Sequence, residues 1–434
     1  MLGRMEQRHS SLQPLTPPLP LGPPMRAGRC HRSTVLATCL LLFIFYLLVQ
    51  WAFREPEDIF GPSSAIEEDP PSLADRWRIR PELAHIDCAA VIRRAPAPAK
   101  VPIYPTPVLN MTCSAIRQRI LPYRSNDTGF PIAFSKAVYT DYDLLEEQLA
   151  ATYALENSYC FIIDENAPEK FKRRMEQLAG CLSNVEIAPG IFRMDSNGHD
   201  QNRGHIECMR TLATRQWNYL IIMQNHDIIL KTHSEMTRIF TLMNGTSDIE
   251  VSQCQKRCIR LAKNTDQYQL CTPDQDCANR RLAFAKGAQQ ACLSREAVDW
   301  LLDEINVNPF VERLNRLEEG ADEVLLPTLF VSDVGFPGGY TNKCMPKRNA
   351  FISRYCSWQG DAKMCRSGVL RHYICILSLE DVPQLAHASH ILANKMMPHV
   401  DYAGIHCMSE LLFNRTRGLR PEFVNDVYYE NLTA

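Results

Sequence analysis

Residues 219–233, YLIIMQNHDIILKTH, decide how the chain is read. The run Tyr219–Met223 is apolar with no alternation, the pattern of a strand covered on both faces, as in a parallel sheet. Directly behind it the chain turns polar, with Asn225, His226, Asp227, Lys231 and His233 within nine residues. Open α/β sheets bind ligands beyond the carboxyl ends of their strands, so this polar group stands where a site is expected. Two histidines and an aspartate also raise the question of a metal. Zinc ligands normally recur at spacings of two to five residues. His226 and His233 are seven apart with a helix start between them, so a polar strand end is expected here and no metal.

Outward from this stretch, strands alternate with helices of ~10–15 residues, which predicts an α/β domain with a mainly parallel central sheet flanked by helices. "PIAFSKAVY" (131–139) and "SYCFIID" (158–164) read as strands, the second ending at Asp164. "DYDLLEEQLAATYAL" (141–155), with Leu144, Leu145, Leu149 and Ala150 on one face, "PEKFKRRMEQLAGCL" (168–182) and "GHIECMRTLATRQW" (204–217) read as helices. "SEMTRIFTLMNG" (234–245) is a helix capped by Ser234 and ended by Gly245. Further on, "SREAVDWLLDEI" (294–305) reads as a helix, "YICILS" (373–378) as a strand and "EDVPQLAHASHILANK" (380–395) as a helix. Residues 251–290 are cysteine-rich and irregular.

With 47 basic and 49 acidic residues, the net charge of −2 argues against nucleic acid as the main partner. From Val35 to Phe53 the chain carries no charge, ~19 residues and long enough to cross a bilayer as a helix. Arg4, Arg8, Arg26, Arg29 and Arg32 precede the run, whereas Glu55, Glu57 and Asp58 follow it. The positive-inside rule then predicts a disordered cytosolic tail over 1–34 and a single transmembrane signal anchor over 35–53. A Pro-rich stem over 54–108 and a lumenal domain over 109–434 complete the predicted order. Of 17 cysteines, 15 lie from Cys88 onward, and acceptor sequons occur at Asn110, Asn126, Asn244, Asn414 and Asn431. Both features fit a chain of the secretory pathway.

Two Asp-x-Asp triplets occur, Asp141/Asp143 and Asp274/Asp276. Such triplets at strand ends hold Mg²⁺ or Mn²⁺ on diphosphates. Neither follows a buried strand; the first reads as a helix cap and first turn, the second as a loop clamped by cysteines. Cys254, Cys258, Cys271 and Cys277 have spacings that suit zinc or disulfides, and an oxidising lumen favours disulfides. Glu323, in "ADEVLLPTLF", stands at the start of a short apolar helix.

Five segments in order, "NSYCFIIDENAPEKF…LAGCLSNV", "WNYLIIMQNHDIILKT", "ADEVLLPTL", "WQGD" and "SGVLRHYIC…LANKM", resemble the core-2/I-branching β-1,6-N-acetylglucosaminyltransferase family, and their variants look like its nematode members. The likeness spans roughly Cys88 to Leu412. It implies a type II Golgi enzyme of GT-A-like fold that transfers a sugar from a UDP-sugar to an O-glycan with inversion and without a metal. N-acetylglucosamine to a 6-hydroxyl is the first expectation; UDP-glucose or UDP-xylose as donor, or an inactive membrane-tethered glycan-binding protein, are the alternatives. Carried over by position, Glu323 is the general base. Asp164, Arg371 and Lys395 bind the UDP-sugar, and Glu250 and Trp358 line the acceptor site. The family arginine falls on His372, with Arg371 one place earlier, so either can fill that position. The family's "CGMDFPIKT" reads here "QNHDIILKT", keeping Asp227, Lys231 and Thr232, with no role assigned to Asp227 or Lys231. The resemblance also implies the disulfides Cys113–Cys181, Cys160–Cys208, Cys365–Cys375 and Cys88–Cys407. It leaves Cys254, Cys258, Cys271, Cys277, Cys292, Cys344 and Cys356 unassigned.

Overall fold

A computed structural model describes residues 76–94, 96–253, 270, 282–339, 351–360 and 365–432. The expected tail, anchor and first part of the stem lie outside the described residues, as do Cys254, Cys258, Cys271, Cys277, Cys344 and the Asp274/Asp276 triplet. Among the described residues no helix is long and apolar enough to cross a membrane.

The strands in chain order are β1 (Ile132–Val138), β2 (Ser158–Ile163), β3 (Val185–Ile187), β4 (Tyr219–Gln224), β5 (Asp227–Ile229), β6 (Asp248–Ile249), β7 (Ser252–Gln253), β8 (Ala285–Lys286), β9 (Ala291–Ser294), β10 (Arg354–Cys356), β11 (Leu370–Arg371), β12 (Ile374–Cys375) and β13 (Leu392–Asn394). The central sheet runs β3-β2-β1-β4-β9-β6. β1 pairs in parallel with both β2 and β4, and β2 with β3, while β9 runs antiparallel to β4 and β6. The sheet is therefore mainly parallel and flanked by helices, an architecture that fits the GT-A-like expectation.

Side-chain alternation along β1 and β4 divides the core between the two faces. Ile132, Phe134, Tyr219 and Ile221 pack on one side against the helices Tyr142–Thr152, Glu169–Cys181 and His233–Met243. Ala133, Ala137, Leu220 and Ile222 pack on the other against Gln201–Leu212, Arg295–Asp303 and Leu325–Val331. The helix Tyr142–Thr152 joins β1 to β2, and Glu169–Cys181 and Gln201–Leu212 lie between β2 and β4, so the three strands run parallel and their carboxyl ends open on one edge.

Several expectations change on contact with tertiary structure. The cap of the helix after β5 lies two residues earlier than expected, because Thr232 and Glu235 form a reciprocal capping box in place of a Ser234 cap. Asp141 holds the N-cap position of the next helix and Asp143 its first turn, as expected, but the Asp141 backbone is left-handed and its carboxylate goes to His226 and not to the helix amides. "YICILS" shrinks to the two-residue β12. The helix expected over 380–395 is a 3-10 turn, Leu379–Asp381, and one α-turn, Val382–Leu385. Leu392–Asn394 then becomes β13, because the pairing with β5 and β10 outweighs a helical pattern of only one turn.

The expected stem enters the fold earlier than residue 109. Leu83, Val91 and Ile103 are buried against the helix Tyr402–Thr416, and the Ile103 amide donates to the Pro398 carbonyl. The Cys88–Cys407 bridge closes a separation of 319 residues, worth about 6 kcal/mol at most by chain entropy. Cys113–Cys181, Cys160–Cys208 and Cys365–Cys375 are also bridged. Cys292 and Cys356 are free thiols. Asn110, Asn126, Asn244 and Asn431 are exposed, whereas Asn414 is half-buried within the helix Tyr402–Thr416.

Candidate active site

At the carboxyl edge of β1, β2 and β4 lies a cavity of about 760 Å³. Asp164, Glu323, Trp358, Arg371, His372 and Lys395, brought from five separate segments, all line it. Asp164 follows β2; its amide donates to the Val138 carbonyl, and its Oδ1 accepts from the amides of Asn166 and Met194 at 3.1 and 3.2 Å.

The small sheet β10-β13-β5 delivers the cationic wall. Asn394 stands opposite Asp227 in the β13–β5 pair, so Lys395 is carried to the cavity one residue past the strand. Burial, then repulsion from Arg371, holds the Lys395 amine below the usual lysine range, against the attraction of Asp227 and Cys356. Arg371 ends β11, and the two residues that follow, His372 and Tyr373, form a tight turn with left-handed backbone at both positions (φ 52° and 64°). Non-glycine residues adopt this at a cost of about 1–2 kcal/mol each. The Cys365–Cys375 bridge and the bond from the Gln359 amide to the Tyr373 carbonyl (2.7 Å) hold the turn in place. Arg371 and His372 therefore both line the cavity.

The motif after β4 divides. His226 lines the cavity with Nε2 2.7 Å from Asp141 Oδ2. Burial pushes its imidazole below the ordinary range, the Asp141 contact opposes this, and Arg371 and Lys395 reinforce it. His233 is wholly buried elsewhere, 2.6 Å from Glu156 Oε1. The two histidines thus face different carboxylates and share no centre. Lys231 is also away from the cavity: its Nζ donates to the Phe423 carbonyl at 2.9 Å and lies 4.9 Å from the Phe423 ring. Burial lowers its amine to about 8. Lys231 joins the C-terminal segment to the core and lines no part of the site.

Asp227 is fully buried beneath the cavity floor, where its carboxylate accepts from the Gln224 amide (2.6 Å), Gln290 Nε2 (2.9 Å) and Asn394 Nδ2 (2.6 Å). Glu323 precedes the helix Leu325–Val331, with Oε2 3.4 Å from Lys286 Nζ. Its neighbour Asp322 also lines the cavity. Burial and the negative charge of Glu323 push the Asp322 carboxyl up to about 7.

Glu250 does not line the cavity; it stands behind it with Oε2 3.8 Å from Arg354 Nη2, while the Arg354 guanidinium lies 6.0 Å from the Trp358 ring. Arg354 thus links Glu250 to Trp358. Gly287 closes this side: its amide donates to the Glu323 carbonyl at 2.9 Å, and a Cβ there would sit 1.9 Å from the Glu250 carbonyl oxygen. Contrary to expectation, Asp141 and Asp143 do follow a buried strand, β1; their carboxylates face His226, and Arg80 and Thr106, respectively. Cys88, His406 and Glu410 lie close together, but the Cys88 sulfur is held in a disulfide.

Sequence reading placed the polar strand end with His226 at the site, but missed Asp322, Arg354 and the glutamines 224, 289 and 290. Asp322, next to Glu323, and Gln224, in the quoted stretch, carried a local signal.

A family model described as "Branch: Core-2/I-Branching enzyme" matches residues 132–386. The chain is 29% identical over 311 residues to a sheep protein named β-1,3-galactosyl-O-glycosyl-glycoprotein β-1,6-N-acetylglucosaminyltransferase 3, covering 67% of this chain and 69% of the relative. The human protein of that name is 26% identical over 67% of this chain and 70% of its own. A bovine herpesvirus 4 protein named as a β-1,6-N-acetylglucosaminyltransferase is 28% identical over 67% and 69%. With the family model matching more than half of the chain, this protein belongs to the core-2/I-branching enzyme family and is a glycosyltransferase.

Proposed function

We propose that the protein transfers N-acetylglucosamine from UDP-N-acetylglucosamine to the 6-hydroxyl of an O-glycan, with inversion and without a metal ion. The observation that carries this reading is the shared cavity: Glu323 and the cations Arg371 and Lys395 line one enclosure. In the reaction the acceptor oxygen bonds to C1 of the sugar, its proton passes to Glu323, and the bond from C1 to the UDP oxygen breaks. General-base catalysis of this kind contributes about 10²–10⁴-fold. Negative charge grows on the departing diphosphate, and Arg371 and Lys395 supply fixed positive charge there. That is the work a divalent cation does elsewhere, so no cofactor is required. Asp164, at the end of β2, is assigned to the nucleoside and Trp358 to the acceptor sugar, with Glu250 acting on that side through Arg354. The names of the relatives support the donor and the linkage. The charge-free run 35–53 supports a type II anchor with the domain in the Golgi lumen.

The test uses the full chain in detergent with UDP-N-acetylglucosamine, UDP-glucose and UDP-xylose, a core-1 O-glycan, and EDTA. Transfer of N-acetylglucosamine is expected with and without EDTA, and Glu323→Gln is expected to lower kcat by at least about 10²-fold. Loss of transfer in EDTA would overturn the metal-free mechanism. Glycan retention without transfer from any donor would leave a glycan-binding protein.

A further inference from the structure

Four side-chain amides and one carboxylate form a connected chain across the cavity floor. Gln290 Nε2 donates to Asp227 and, at 3.2 Å, to Gln224 Oε1. Gln224 Nε2 then faces Gln201 Oε1 at 3.1 Å and Gln289 Oε1 at 2.8 Å. The direction of every amide is fixed by groups whose role is not in question. Arg354 Nη1, which can only donate, lies 3.1 Å from Gln290 Oε1, so the Gln290 nitrogen must face Asp227 and Gln224. At the other branch Gln201 Nε2 donates to the Asp195 carbonyl at 3.3 Å, so the Gln201 oxygen must face Gln224. Turning Gln289 over would set N–H against N–H.

The chain therefore ends in Gln289 Nε2, a buried amino group with no hydrogen-bond partner among the described residues, on a side chain that is 4% exposed and lines the cavity. Buried donors are almost always satisfied. Because the Gln289 oxygen is turned to Gln224, the hydrogen-bonding group left without a partner is the amino donor. A hydroxyl gains most from a donor and an acceptor together, whereas a carbonyl oxygen only accepts.

The location narrows the occupant further. At one end of the chain Asp227 binds Asn394, the neighbour of Lys395. At the other, Gln224 Nε2 lies 3.4 Å from Oδ2 of Asp322, the neighbour of Glu323. The floor thus spans from the diphosphate cation to the base, and the transferred sugar must lie between these two. Resting on the glycosyltransferase reading above, we propose that Gln289, aligned by Asp227, Gln290 and Gln224, donates to the acetamido carbonyl of the transferred sugar and selects N-acetylhexosamine over hexose donors.

The test measures kcat/KM for UDP-N-acetylglucosamine and for UDP-glucose with the full chain in detergent, for wild type, Gln289→Glu and Gln289→Leu. Gln289→Glu keeps the shape and the acceptor for Gln224 but removes the donor, and any effect of its charge on UDP cancels in the ratio of the two donors. The ratio is expected to favour the acetamido donor by at least 10-fold in wild type and to fall about 10–100-fold in both variants. An unchanged ratio in Gln289→Glu, with equal losses on both donors, would make Gln289 a diphosphate or scaffold contact and overturn this inference alone. A wild type preferring UDP-glucose would overturn it whatever the variants do. No transfer from any donor would overturn the underlying reading with it.

Discussion

Gly287→Ala tests whether the base and the acceptor side are held together by close backbone contact. The added Cβ would lie 1.9 Å from the Glu250 carbonyl oxygen and 2.7 Å from its carbonyl carbon. Real Cβ atoms come no closer than about 3 Å, so the two backbones must separate by about 1 Å. The strain cannot be released by rotating a side chain, because both partners are backbone. Gly287 is also bonded to the Glu323 carbonyl, so the separation moves Glu250 relative to Glu323. Overpacking of this kind costs about 1–3 kcal/mol, and a 1 Å displacement near reacting groups costs about 10²-fold in rate. The expected result is a Tm lowered by a few degrees, with kcat/KM for the acceptor lowered about 100-fold. Gly180→Ala is the control, since Gly180 lies in the helix Glu169–Cys181 with nothing within 4 Å of its added Cβ. It is expected to stabilise by up to about 1 kcal/mol. Gly287→Ala with Tm unchanged and activity within about 3-fold of wild type would refute the argument.

Two further outcomes follow from buried charges. The Asp322 carboxyl, raised to about 7, keeps its proton in the folded state at pH values where the unfolded chain has released it. By linkage its contribution to stability falls as pH rises from about 4 towards 7. Asp322→Asn should therefore gain on wild type across that window in urea midpoints at pH 4.5, 5.5 and 7; a constant difference would exclude the shift. Lys231→Met should leave kcat/KM within about 3-fold of wild type while shifting the unfolding midpoint, because the Lys231 amine is bonded to Phe423 and not to the cavity. A loss of 100-fold in activity without a change in midpoint would return Lys231 to the site.

The alternation of buried strands and amphipathic helices was legible in the sequence because hydrophobic periodicity is a local property. Tyr219–Met223 reads as a doubly covered strand from five consecutive residues, and β4 is the strand that forms. Local pattern misled where a segment's partners were distant. Residues 380–395 carry helical spacing, but Leu392–Asn394 pairs with β5 and β10 from 165 and 38 positions away in chain order. The same limit hid the burial of Leu83, Val91 and Ile103, whose partners on the helix Tyr402–Thr416 lie about 300 positions on, although the likeness already implied the Cys88–Cys407 bridge.

The sequence by itself determined the strand-helix order, the polar strand end behind β4 and, through family likeness, the four disulfides; the likeness also nominated Glu323, Asp164 and Lys395, which all line the cavity. It could not separate Asp227 from Lys231, which stand four residues apart in one motif. Only the tertiary structure carried Lys231 into its buried contact with Phe423 and Asp227 beneath the cavity floor. It also decided that Arg371 and His372 share the cavity and that glutamines 224, 289 and 290 form one hydrogen-bonded chain. The reason is physical: a hydrogen bond depends on distance and direction in space, and no pattern in the order of residues records which distant amides will meet.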